Sequence, residues 1–106
     1  MDNELILRCK KYLALSKKAL KLVKISVAKT GSLYKVAEDF QNMAKNYISD
    51  GEYQLKIGNH DIALASFSYA HAWLDAGARL GIFEVKGNTK LFTLYKETTG
   101  RGSVKK

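Results

Sequence analysis

Between Leu5 and Val27 the positions Leu5, Cys9, Tyr12, Ser16, Ala19, Val23 and Val27 recur at steps of three and four, flanked by Ile6, Leu13 and Leu20. That spacing draws one apolar stripe along a long helix. Asp2 and Glu4 lie where a helix start favours negative charge, and Lys24 and Lys29 lie where its end favours positive charge. Leu7, Leu15, Leu22 and Ile25 fall on another side, among Lys11 and Lys18, where a two-faced helix needs no apolar residue. This second stripe is a candidate contact surface for another protomer; the competing reading is that long lysine stems cover scattered leucines.

A turn containing Gly31 follows, with Ser32 placed to cap the next helix. On that helix Leu33, Val36, Ala37, Phe40, Met43, Ala44, Tyr47, Ile48, Gly51 and Leu55 share one side, and Lys35, Glu38, Asn42, Lys45, Ser49, Glu52 and Lys56 the other. Gly58 supplies the left-handed residue that ends it, and Asn59 or Asp61 can cap a third helix. From about Asp61 to Phe83 the chain is apolar almost all round, leaving a polar strip through Asp61, Ser68, Asp75 and Arg79. Such a helix is expected at the centre, in contact with both others. Its small residues, among them Ala63, Ala65, Ala70, Ala72, Ala76, Gly77, Ala78 and Gly81, would let backbones approach closely, while Phe67, Tyr69, Trp73, Leu74, Leu80 and Ile82 supply the bulk.

The short connections imply antiparallel neighbours. The expectation is therefore an all-α, up-down-up three-helix bundle, with helices at about 3–28, 33–57 and 60–83 in one domain over residues 1–95. Glu84 to Tyr95 reads either as a hairpin turning at Gly87-Asn88 or as a short helix capped by Asn88 that carries Leu91, Leu94 and Tyr95. The reading adopted is extended chain packed on the bundle through Phe83 and Phe92, followed by a disordered basic tail over residues 96–106.

Composition adds limits. At 106 residues the chain is too short for two independent cores, which excludes multi-domain enzymes. Its longest mostly apolar, uncharged stretch, Ile62 to Leu74, falls short of the roughly 20 residues of a membrane helix. No secretory signal is visible at the start, and the single cysteine, Cys9, offers no disulfide framework. The expected location is cytoplasmic.

The net charge of +8 is unevenly spread. Residues 1–30 carry eight Lys or Arg against Asp2 and Glu4, and the last 21 residues carry six against Glu97, whereas the centre is slightly acidic. Lys10, Lys11, Lys17, Lys18, Lys21 and Lys24 are thus candidate phosphate contacts, set against the plainer reading of a solvated helix face. No aromatic-basic RNA-binding motif accompanies them.

Two resemblances emerge. The spacing Tyr47, Gly51, Gly58, Ala63, Phe67, Ala70 resembles one tetratricopeptide-type helical hairpin, in which small residues allow contact and aromatics fill the gaps. Asp50 and Gln54 depart from that pattern, and no second copy follows about 34 residues on, so no stacked array with a peptide groove is implied. More specifically, the run Tyr69-Ala-His, then Leu74-Asp-Ala, then Leu80-Gly-Ile-Phe resembles the archaeal family catalogued as domain of unknown function 357. The resemblance spans roughly residues 33–85, with Ala72 where many members carry glycine. It implies a compact helical bundle and brings no activity with it.

His71, Asp75 and Arg79, four apart, form a polar ladder on the third helix. A carboxylate between an imidazole and a guanidinium could fix the imidazole's tautomer, but catalysis would also need a nucleophile or a metal. The plainer reading pairs Asp75 with Arg79 at the surface and lets His71 bond to a neighbouring helix. Two histidines and one cysteine without ligand spacing give no zinc site, facing Glu-x-x-His pairs are missing, and no phosphate-loop or dinucleotide glycine pattern occurs. The functional expectation is a non-enzymatic interaction module without cofactor or small-molecule ligand, whose partner is a second copy or another protein. The alternative is a nucleic-acid or ribosome-associated accessory protein binding phosphates through the basic first helix and tail.

Overall fold

A computed structural model describes residues 3–85. The expectations placed on residues 86–106, including the Gly87-Asn88 turn, the packing of Phe92 and the basic tail, lie outside the described residues. Three helices form: α1 at Asn3–Leu22, α2 at Ser32–Lys56 and α3 at His60–Leu80. Two short strands, β1 at Lys24–Ile25 and β2 at Phe83–Glu84, pair antiparallel with Lys24 opposite Glu84 and Ile25 opposite Phe83.

Hydrogen bonds and ring contacts fix the helix directions. Cys9 Sγ donates to the His60 carbonyl at 3.0 Å and Ser16 Oγ to the Phe67 carbonyl at 3.2 Å, so contacts on α1 and α3 advance together and the two helices run parallel. Between α2 and α3 the order reverses: Tyr47 meets Tyr69 while Phe40 meets Trp73. The chain therefore goes up, down and up, as the short connections imply.

Three boundaries depart from expectation. The first helix stops at Leu22 instead of running to residue 28, because Val23-Lys24-Ile25-Ser26-Val27 alternates with a period of two and carries three β-branched apolar residues. Val23 and Val27 fit a helical step of four as well as a strand step, and pairing with β2 decides the matter. Ser32 is the first residue of α2 and not its cap; Gly31 takes the cap position without a side-chain bond. Helix α3 ends at Leu80 because Gly81, at φ +92°, adopts the left-handed conformation, so Gly81 terminates the helix and does not pack within it. Gly58, at φ +93°, turns the chain just beyond α2 as its type foretold.

The core gathers on the inner faces. Phe67, Leu74 and Ile82 are wholly buried, each contributing about 1.5–3 kcal/mol relative to exposure. Around Leu74 lie Ala19, Val23, Ala37, Ala44, Ile48, Ala70 and Phe83, and a smaller cluster joins Cys9, Ala63 and Phe67. Helix α3 does contact both partners. It is not enclosed, however: its buried side runs through Ala63, Phe67, Ala70, Leu74 and Ala78, and the opposite side is open. A third helix lying in the groove of two others can bury only half of its circumference.

Candidate functional site

Helices α1 and α2 mostly follow the usual rule for a bundle, with lysines and asparagines turned outward, although Leu7 and Leu22 on α1 and Leu33, Val36 and Tyr53 on α2 are exposed too. Helix α3 breaks it. Its outward side carries Ile62, Ala65, Tyr69, Ala72 and Ala76 at alternating steps of three and four, with Leu80 beyond them. All are exposed: Ile62 is 49% accessible, Tyr69 58% and Leu80 61%. Such spacing is the seam of a helix that packs on another helix. Asp61 and Arg79, both exposed, flank this seam near its two ends.

Trp73 borders the seam and is half-buried, its indole meeting the Phe40 ring edge-on with centroids 4.9 Å apart. Phe40, Tyr69, Ala72, Trp73 and Ala76 line an open depression of about 270 Å³. Tyr69 also leans on Tyr47, at 5.4 Å between centroids. The floor is thus held by aromatic contacts to α2, while its top faces water.

The residues singled out in the sequence are placed as follows. Leu15 and Ile25 pack against the core, whereas Leu7 and Leu22 are exposed, so the second stripe of the first helix is divided between inside and outside. Lys10, Lys11, Lys17, Lys18, Lys21 and Lys24 are all exposed. Lys17 Nζ reaches Glu52 Oε2 at 2.6 Å, across a groove of about 480 Å³ lined by Leu13, Ser49, Glu52, Tyr53, Leu55 and Lys56.

Asp75 is 5% accessible, and His71 Nε2 approaches its Oδ2 at 3.7 Å. Arg79 lies exposed one turn further on. The ladder therefore joins His71 to Asp75 at the edge of the core. Among the described residues no group of three His, Cys, Asp or Glu could hold a metal ion. Cys9 is wholly buried, and burial pushes its thiol above the ordinary value, opposed by a backbone N–H bond from Leu64 and by Arg8. A buried, protonated thiol is packing material and not a nucleophile.

The outward seam of α3 was present in the sequence as the spacing 62, 65, 69, 72, 76. It was hidden because the buried side of the same helix is equally apolar, and periodicity alone cannot separate two apolar sides.

No helix among the described residues is long and apolar enough to cross a membrane. No curated protein and no solved structure matches the chain. A family described as a protein of unknown function, DUF357, matches residues 11–83, so the match starts within α1, earlier than the roughly 33–85 spanned by the resemblance in the sequence. With more than half of its length covered, the chain belongs to the DUF357 family.

Proposed function

We propose that the protein is a non-enzymatic protein–protein interaction module that self-associates, and that its contact surface is the outward seam of α3 and not the leucines of α1. The observation that carries this reading is the exposure of Ile62, Tyr69 and Leu80 along one side of α3, with the exposed Ala65, Ala72 and Ala76 on the same side. Contiguous exposed apolar surface of this kind marks interaction sites, since leaving it in water forgoes about 25 cal/mol per Å² of possible burial. The single cysteine, kept as a buried thiol, fits a reducing compartment and supports a cytoplasmic location.

Sedimentation equilibrium at micromolar concentration tests the proposal. Wild type sediments as a dimer, Tyr69→Lys as a monomer with unchanged helicity, and Leu7→Lys with Leu22→Lys as a dimer still. A wild type that stays monomeric throughout removes self-association.

A second reading, nucleic-acid binding, rests on a different observation. Lys10, Lys17 and Lys21 stand in one column along α1, with Lys11 and Lys18 beside it, and all five are exposed. A column of ammonium groups on a rigid helix suits a phosphate backbone, which it would hold by displacing counterions.

A further inference from the structure

We infer that the seam of α3 pairs with the same seam of a second copy, antiparallel, about a two-fold axis through Tyr69. The inference rests on the reading of that seam as the contact surface and adds the partner and the geometry. Three features converge on it.

Residues equidistant from Tyr69 are complementary in size. Ile62 lies seven positions before it and Ala76 seven after, close enough around the helix to share one strip of the seam. In a two-fold antiparallel pair each residue meets its mirror position, so Ile62 of each copy faces Ala76 of the other on either side of Tyr69, which meets its own copy on the axis. A parallel pair would put Ile62 on Ile62 and Ala76 on Ala76, crowding one layer and emptying the next.

Charge follows the same symmetry. Asp61 and Arg79 are eighteen residues apart, which is five whole turns at about 3.6 residues per turn, so both lie on the same edge of the seam. Same edges meet in an antiparallel pair, which brings Asp61 of each copy towards Arg79 of the other, twice over. Their distances from Tyr69, eight and ten positions, differ by two residues, or about 3 Å along the axis, within the reach of an arginine side chain. A parallel pair would send these edges to opposite sides.

Finally, the exposed alanines Ala65, Ala72 and Ala76 allow the two backbones to come close. The exposed large side chains of the seam, Ile62, Tyr69 and Leu80, supply the area to be buried.

Oxidative cross-linking of the full chain decides the geometry, because a disulfide forms only across Cα separations below about 7 Å. Tyr69→Cys cross-links to itself. Ile62→Cys alone and Ala76→Cys alone do not, but their mixture does. Wild type, with only the buried Cys9, is the control. Reversing either charge, Asp61→Arg or Arg79→Asp, weakens dimerisation about tenfold, and the double reversal restores it to within about threefold. A dimer in which Ile62→Cys links to itself, or in which none of these cysteines links, overturns the antiparallel pairing and leaves self-association standing. A monomer in sedimentation overturns both.

Discussion

Phe83 lays its ring on the backbone of Gly77: a Cβ added at Gly77 would collide with the edge of the Phe83 ring. The strand pair β1–β2 therefore closes the end of the bundle by pressing an aromatic ring, 3% accessible, against a gap in α3, and Phe40 meets the same ring edge-on. The glycine that lowers the helix propensity of α3 is what admits the ring.

Gly77→Ala accordingly destabilises the protein. The extra methyl overpacks the core at about 1–3 kcal/mol, partly offset by about 1 kcal/mol of better helix propensity. Urea denaturation reads the balance, and a midpoint at or above that of wild type would contradict the ring's seat. Gly51, whose added Cβ would meet the Phe67 ring, behaves the same way.

Phe67 and Tyr69 are two residues apart and separate fold from association. Phe67 is wholly buried, so Phe67→Ala costs about 3–5 kcal/mol. Tyr69 is 58% accessible, so Tyr69→Ala stays within about 1 kcal/mol of wild type while the dimer weakens. Paired urea and sedimentation measurements distinguish the two effects; equal losses of stability would place both rings in the core.

Burial raises the Cys9 thiol pKa, with the Leu64 N–H and Arg8 opposing. The folded state thus holds the proton more tightly than the unfolded chain does. The resulting stability is complete below the unfolded thiol value of about 8.5 and fades as the pH climbs through the folded value above it. Wild type loses stability with rising alkalinity faster than Cys9→Ala, read as the difference between their urea midpoints. A thiol reagent at neutral pH labels Cys9 only after unfolding. Rapid labelling of the native protein would show an open thiol.

The lysine column predicts a salt dependence. If α1 engages phosphates, binding to RNA or DNA falls steeply between about 50 and 200 mM salt, with a log–log slope near −0.9 per phosphate contacted. Lys10→Glu with Lys21→Glu flattens that slope while leaving sedimentation unchanged. Filter binding that detects nothing at low salt eliminates the nucleic-acid reading.

The sequence by itself determined the three helices, their up-down-up order and the left-handed stop at Gly58, because helical periodicity and backbone freedom are local properties. It also carried the Tyr69 to Phe83 run on which the family resemblance rests. Only the tertiary structure decided where α1 ends, since Val23 and Val27 suit a helix or a strand until Phe83 arrives to pair with Ile25. The same holds for α3: Phe67 and Tyr69 read alike along the chain, and only the placement of α1 and α2 buries one and leaves the other in water. Burial depends on what stands opposite a side chain, and a pattern along one helix does not contain its neighbours.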